Sequence, residues 1–274
     1  MRRKGSPSPR VGCARALQST LSSCEESSPG EQRISMIEQP QDDPRHGWRM
    51  RAGNPLMYDT IGATQFAILT LFFGLRERHK LLEIGAGVLR AARFIIPYLD
   101  AGHYYGVEPN TESVRLGVEF ELGPEMTQRK KPRFISRSDF AFHEIGERFD
   151  YVLSYSVFPH VPPPQIPIIF QNATKCFHDH SIMLATAVFA ESEEQIIDAQ
   201  KWTKLPVNKY SFARFEETAR TAGLKLIRLG KVFQDWFVAF KEENQAALQS
   251  AEEMRKVEWS AVIPKWEDPG WAKG

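Results

Sequence analysis

A glycine turn between two apolar segments constrains the fold of this chain more than any other feature. Residues 81–87 read Leu-Leu-Glu-Ile-Gly-Ala-Gly, and residues 105–109 read Tyr-Gly-Val-Glu-Pro. An apolar run that ends in glycines, a helical segment, and a second apolar run that ends in an acid form the layout of an adenosine-binding crevice. Such crevices lie at the carboxyl ends of the strands of an α/β sheet. Gly85 and Gly87 lack a Cβ, so the backbone can turn tightly and approach a ligand there.

Two classes of cofactor use this layout. A dinucleotide site favours G-x-G-x-x-G, in which the third glycine allows close packing of helix on strand and the helix N-terminus meets a pyrophosphate. Here Arg90 stands at the third position, and the Glu83 carboxylate before the turn would repel a pyrophosphate. A ligand that carries an ammonium and a sulfonium would tolerate Glu83. These residues disfavour a nicotinamide-dependent oxidoreductase, which stays an open alternative.

The glycine turn resembles motif I of the class I S-adenosylmethionine (SAM)-dependent methyltransferases, E/D-x-G-x-G. Glu83, Gly85, Ala86 and Gly87 form that motif here. The resemblance implies SAM as the cofactor, and it implies that Glu108, followed by Pro109, accepts hydrogen bonds from the ribose hydroxyls.

Two further segments match the same family in the same order. In Ser138-Asp139-Phe140, the resemblance implies that Asp139 accepts from the adenine amino group and that the Phe140 backbone meets the ring. Residues 149–154 read Phe-Asp-Tyr-Val-Leu-Ser, which is similar to motif IV and places Ser154 and Tyr155 beside the sulfonium. The family often has Glu before the histidine that follows, whereas this chain has Pro159 before His160.

The resemblance covers residues 54–241 and implies one methyltransferase domain. Its fold class is α/β, with a doubly wound, seven-stranded, mostly parallel sheet, an antiparallel last strand and helices on both faces. The sequence pattern predicts a core helix over 60–75, a central strand over 181–189 and an amphipathic helix over 212–224 with Ser211 as its N-cap. Two closing strands are expected at 224–229 and 236–241, the second at an edge of the sheet.

The segments on either side of this domain differ in composition. Residues 1–35 are rich in Ser and Pro and have a basic start, which is typical of a disordered tail. A transit peptide, or translation that begins at Met36, are alternatives. Residues 36–53, the lead-in segment, carry four basic residues and form either a solvated approach or a cap with arginines that face an anionic substrate. For residues 242–274 we expect a helix and a Trp-containing tail. This tail packs on the domain or on a second copy of the chain, as in a homodimer.

Charge and cysteine content exclude several functions. The net charge is +1, so we expect no nucleic-acid partner. The chain has three cysteines, Cys13, Cys24 and Cys176, without the spacing of a disulfide framework or a metal site, which favours the cytoplasm. The apolar run 66–75 is shorter than the ~20 residues that cross a bilayer, so we expect no membrane span.

The chemistry that the resemblance implies is methyl transfer to a small-molecule or sugar acceptor. An in-line displacement needs an oriented nucleophile and exclusion of water, and it needs a general base when the nucleophile must lose a proton. His160 is the candidate base, although it could equally order the loop at 162–164. Gln65 could reach the methionyl end of SAM or be a packed polar residue. A non-catalytic methyltransferase-like interaction module remains an alternative.

Overall fold

The computed structural model describes residues 46–204 and 206–259. The predicted disordered tail and the end of the Trp-containing tail, with Cys13 and Cys24, lie outside these residues. No helix within the described ranges is long and apolar enough to cross a membrane.

The described residues form a seven-stranded sheet with eight α-helices. The strands are β1 Leu81–Ile84, β2 Tyr104–Val107, β3 Arg133–Ile135, β4 Phe149–Ser154, β5 Phe177–Ala187, β6 Lys225–Val232 and β7 Gln234–Phe240. The helices are α1 His46–Arg49, α2 Tyr58–Ala67, α3 Ala92–Tyr98, α4 Thr111–Gly117, α5 Pro124–Lys130, α6 Ile166–Lys175, α7 Phe212–Thr221 and α8 Gln245–Arg255. Helix α2 continues into a π-helical turn, Ile68–Phe72, so the predicted core helix over 60–75 is present as one continuous segment.

The strand order is β3-β2-β1-β4-β5-β7-β6. Strands β1 to β5 pair in parallel, and β7 lies antiparallel to both of its neighbours, β5 and β6. This is the predicted doubly wound sheet with an antiparallel last strand, so the fold class is confirmed. The carboxyl ends of β1, β2 and β4 therefore meet at one edge of the sheet, where a ligand site is expected in such folds.

The expected edge position of the last strand was wrong. Strand β7 is inserted between β5 and β6, and six of its seven residues are buried. Strand β6 is the edge strand, and only three of its eight residues are buried. The β6–β7 hairpin could have joined the sheet through either strand, and pairing through β7 buries its apolar run on both faces.

The core consists of two apolar clusters, one on each face of the sheet. In β1, Leu81 belongs to one cluster and Leu82 to the other, because successive side chains of a strand point to opposite faces. Helices α6 and α7 cover one face, and α2, α3 and α8 contribute to the other. A central strand buried on both sides is mostly apolar, as β1 and β4 are apart from Glu83, Asp150 and Ser154.

The flanking helices differ in detail from the prediction. Ser211 is the N-cap residue of α7, as expected, but its side chain makes no capping hydrogen bond. Cys176 follows the last residue of α6 and is a buried free thiol. Trp259 packs on the domain against Phe72, with 5.8 Å between ring centroids.

Candidate functional site

A cleft with two lobes runs along the carboxyl ends of β1, β2 and β4. The first lobe has a volume of about 450 Å³ and the second about 420 Å³. They share five lining residues, Gly85, Glu108, Ser156, Val157 and His160. The two lobes are therefore parts of one cleft, and each falls within the size range of small-molecule sites.

Most of the residues predicted for the site line this cleft. The first lobe is lined by Glu83, Gly85, Ala86, Gly87, Glu108, Tyr155 and His160, and the second by Gly85, Glu108, Pro109, Phe140 and His160. The tertiary structure thus brings together three motifs that lie far apart in the chain.

Two predicted residues lie elsewhere. Ser154 is completely buried at the end of β4 and lines neither lobe. The exposed Asp139 carboxylate accepts hydrogen bonds from the Arg137 guanidinium at 3.0 Å and from the backbone N–H of Ala141 at 3.0 Å. These hydrogen bonds lower the pKa of Asp139, and the one from Arg137 has the largest effect. Arg137 and Ser138 line the second lobe, whereas Asp139 does not.

Glycine is required at the start of the turn for two reasons. Gly85 has a φ of +77°, in the left-handed region. A Cβ at this position would lie 2.4 Å from Cγ2 of Val157, in the loop after β4. The motif I turn and the loop after β4 can therefore approach each other only because residue 85 has no side chain.

Glu108 lies at the end of β2 with both carboxylate oxygens oriented by the backbone. Oε2 accepts a hydrogen bond from the Gly87 N–H at 3.0 Å, and Oε1 accepts one from the Asn110 N–H at 2.9 Å. Each oxygen keeps a second lone pair for another donor. The carboxylate is therefore held at the junction of the two lobes, ready to accept a pair of hydroxyls.

Glu83 is a buried carboxyl that lines the first lobe. Oε2 accepts a hydrogen bond from the Tyr104 hydroxyl at 2.6 Å. Burial raises the pKa of Glu83 to about 7, and Tyr104 and Arg90 oppose that shift. Its charge in the free protein therefore changes near neutral pH, and a cation placed beside it would favour the ionised form.

The floor of the first lobe contains two buried N–H donors without partners. Gln65 is 1% exposed and its Nε2 has no hydrogen-bond partner among the described residues; the same is true of the Arg90 Nε. The rest of the Arg90 guanidinium is held by the Ala52 carbonyl, 2.6 Å from Nη1, and by the face of Tyr155, 4.7 Å from its centroid. A buried donor without an acceptor costs free energy, so an acceptor group on a ligand would be favoured here.

His160 lies where the two lobes meet, with one ring nitrogen already occupied. Its Nδ1 is 2.9 Å from the carbonyl oxygen of Thr203. A carbonyl can only accept, so Nδ1 carries the proton and Nε2 of the neutral ring has a free lone pair. Burial lowers the pKa of His160, and the contact with Thr203 opposes this. His160 is therefore neutral at physiological pH, in the tautomer that a general base needs.

The loop around Pro159 and His160 is held through its backbone carbonyls. The Pro159 carbonyl accepts from the Asn208 N–H at 2.7 Å, and the Asn208 amide donates to the Val161 carbonyl at 2.8 Å. The Tyr210 hydroxyl also lies within hydrogen-bond distance of the Phe158 and Val161 carbonyls. Contacts from Thr203, Asn208 and Tyr210 thus hold the loop that carries His160.

Several lining residues carried no recognisable motif. Trp202, Thr203 and Lys204 come from the loop between β5 and α7, and Met50 to Gly53 come from the lead-in segment. Trp202 is 49% exposed and stacks on Phe140, with 5.8 Å between ring centroids. Among these lining residues, the sequence pointed only to those of the lead-in segment, through the basic composition of that segment.

Solved structures of methyltransferases resemble this chain, and three of them illustrate the likeness. Magnesium protoporphyrin IX methyltransferase from Synechocystis PCC 6803, with bound SAM, aligns over 71% of this chain and 89% of that one, with a TM-score of 0.51 and 13% identity. A putative O-methyltransferase from Nostoc punctiforme PCC 73102 aligns over 71% and 60%, with a TM-score of 0.52 and 16% identity. An O-methyltransferase family protein from Burkholderia thailandensis aligns over 68% and 57%, with a TM-score of 0.51 and 10% identity.

Two comparisons of the sequence itself found no match. No protein-family model matches the sequence. No curated protein matches it either. The likeness is therefore one of structure, and at these identities it establishes the fold: the chain has the fold of the class I SAM-dependent methyltransferases, as its motifs predicted.

Proposed function

We propose that this chain is a SAM-dependent methyltransferase that acts on a small-molecule or sugar acceptor. The observation that carries the proposal is the composition of the first lobe. It combines an oriented carboxylate, Glu108, with a buried carboxyl, Glu83, and two unpartnered donors, Gln65 Nε2 and Arg90 Nε. A nucleoside joined to a zwitterionic amino acid would satisfy all four groups. Structural neighbours described as methyltransferases, one with bound SAM, support the same assignment.

The polar residues of the first lobe would each bind a particular group of SAM. Glu108 would accept from the ribose hydroxyls. Gln65 and Arg90 would donate to the amino-acid carboxylate, and ionised Glu83 would accept from the ammonium. Phe140 and Trp202 form an aromatic wall of the second lobe, where an adenine ring would be accommodated. When bound, SAM supplies a methyl group that is already activated by a sulfonium.

The chain itself must position the acceptor, exclude water and take up a proton. His160 Nε2 carries the free lone pair, so it would take the proton of an acceptor hydroxyl or amine. The Tyr155 phenol is not suited to that task, because burial raises its pKa to about 12. Residues 50–53 form a wall of the first lobe, and such a wall limits access of water to the reacting atoms.

Calorimetry tests the cofactor assignment. SAM and its demethylated product should bind to the full chain, whereas NAD should not. Glu108→Ala should weaken SAM binding by ~1.5–3 kcal/mol, the range for hydrogen bonds to a charged group. Glu125→Ala, which removes an exposed acid on α5, is the matched control and should bind as wild type. NAD binding without SAM binding would instead support the oxidoreductase alternative.

A release assay tests the activity. The protein, SAM and a metabolite extract should yield the demethylated product and a metabolite that has gained one methylene by mass spectrometry. SAM binding without turnover across varied extracts would favour the interaction module.

A further inference from the structure

Two cationic side chains from distant parts of the sequence line the first lobe. Arg51 comes from the lead-in segment, and Lys204 follows Thr203, whose carbonyl holds His160. Neither forms a salt bridge within the described part of the chain. The one hydrogen bond that the structure gives the Arg51 side chain is to the Ser113 hydroxyl, at 3.5 Å from Nη1, which leaves most of its five donors for a ligand.

The acids near these cations are already engaged. Glu83 accepts from Tyr104, and Glu108 accepts from two backbone N–H groups. The pKa of Glu112 is lowered, mainly by its hydrogen bonds from Arg115 and to a smaller extent by Arg51. The carboxylate of Glu112 is thus paired with Arg115. Glu83 and Glu108 line the same lobe, but neither forms an ion pair with Arg51 or Lys204, so within the described residues both cations keep donors for a ligand.

Thr203, which precedes Lys204, also lines the first lobe. The Thr203 hydroxyl is buried and has no hydrogen-bond partner among the described residues. Thr203 also donates its backbone N–H to the His160 carbonyl, at 3.2 Å, so the hydroxyl and the His160 ring belong to one rigid unit. A buried hydroxyl in a ligand cavity is a natural partner for a polar group of that ligand.

We propose that the methyl acceptor is a small molecule with a carboxylate or phosphate group, and that Arg51 and Lys204 hold this anion. The inference rests on the proposed function, because it assigns the acceptor of the same cleft. Thr203 and His160 then face the nucleophilic end of the acceptor. Of the two lead-in arginines that the structure describes, Arg49 is buried in an ion pair with Glu121, whereas Arg51 lines the cleft.

Anion binding can be measured without knowing the acceptor. Inorganic phosphate and benzoate are titrated into the full chain, with and without saturating demethylated SAM product, and followed by NMR shifts. Saturable millimolar binding of at least one probe is expected. An Arg51→Gln, Lys204→Gln double variant should weaken it about tenfold or more, as for lost charge-assisted hydrogen bonds. An Arg129→Gln, Lys201→Gln double variant makes the same charge change at exposed positions outside the cleft and should leave it intact.

The outcomes separate this inference from the function on which it rests. Cofactor-product binding is measured first in the same samples, and its absence would count against the proposed function alone. The anion proposal is overturned if neither probe binds saturably, or if both double variants weaken binding equally. As a second readout, activity in a metabolite extract should be retained on an anion-exchange resin. Activity in the unretained fraction would contradict the proposal.

Discussion

At the scale of single residues, the cleft is marked by polar groups that the fold leaves unsatisfied. Gln65 Nε2, Arg90 Nε and the Thr203 hydroxyl are buried without partners, and all three residues line the first lobe. Each such group costs roughly 1–3 kcal/mol in the free protein. Seven further buried side-chain atoms of the described residues also lack a partner and lie outside the cleft, so it is the coincidence of these three atoms with the motif residues that marks the binding surface.

Replacing Gln65 tests whether it recognises the amino-acid part of the cofactor. Gln65→Leu removes the amide at similar volume, so the demethylated SAM product should bind about tenfold more weakly. 5′-Methylthioadenosine, which lacks the amino acid, should bind as it does to wild type. Calorimetry with both ligands makes the comparison. Equal losses for both ligands would show that Gln65 acts through packing.

The buried Glu83 should make the stability of the free protein depend on pH. Its pKa is about 7 in the folded chain and 4.5 in an unfolded one. The folded state therefore binds more protons between these values, and the free energy of unfolding should fall as pH rises from about 4.5 to about 7, by up to about 3 kcal/mol. Urea unfolding of wild type and Glu83→Gln at both ends of this range measures the effect. The same pH slope in the two proteins would refute it.

His160 should affect turnover and not cofactor affinity. His160→Asn keeps a donor for the Thr203 carbonyl but removes the base at Nε2. Once an acceptor is known, kcat should fall ~10²–10⁴-fold, with SAM affinity and melting temperature unchanged. In wild type, kcat should fall with decreasing pH through a pKa below the usual histidine value, as burial dictates. Wild-type turnover in the variant would assign His160 to loop structure.

At the scale of elements, an ion-pair network holds the lead-in segment on the domain. The Arg49 guanidinium contacts both oxygens of Glu121, at 2.6 and 2.8 Å, and the Trp48 indole N–H donates to the same carboxylate at 2.9 Å. The side chains of Arg49 and Glu121 are 9% and 3% exposed. Glu121 lies in the π-helical turn Val118–Leu122 that follows α4. The wall formed by residues 50–53 therefore depends on this contact.

Breaking this network should be costly. Glu121→Ala leaves Arg49 buried without its main counter-ion and should lower the free energy of unfolding by about 3–5 kcal/mol, as for other broken buried pairs. Glu119→Ala is the matched control, because it removes an exposed acid from the same π-helical turn and its pair with Arg115. The control should change stability by less than about 1 kcal/mol. Similar losses in the two variants by urea unfolding would contradict a latching role for Glu121.

At the scale of the whole molecule, the sheet and its two apolar clusters account for the architecture. The motifs at 83–87, 108–109 and 154–160 lie at the carboxyl ends of β1, β2 and β4, three adjacent strands of the sheet. Parallel pairing brings these ends to one edge. The site is therefore a property of the complete domain and not of any one segment.

Residues 1–35 should be dispensable for the fold and for cofactor binding. Their Ser- and Pro-rich composition offers little apolar surface to a core. A chain that begins at Met36 should keep the melting temperature and the SAM affinity of the full chain. Differential scanning calorimetry and titration calorimetry measure the two quantities. A large fall in melting temperature would show that the segment packs on the domain.

The sequence by itself determined the elements that depend on local chemistry. The sequence predicts the glycine turn and the acid at the end of β2 because backbone sterics restrict the residues allowed there. It predicts β1 and β4 because burial on both faces restricts most of their residues to apolar ones. Only the tertiary structure decided which residues outside the motifs line the cleft. Arg51, Thr203 and Lys204 reach it from segments some 150 residues apart. The positions of these three residues depend on long-range packing, and such packing leaves no periodic or short-range pattern in a sequence.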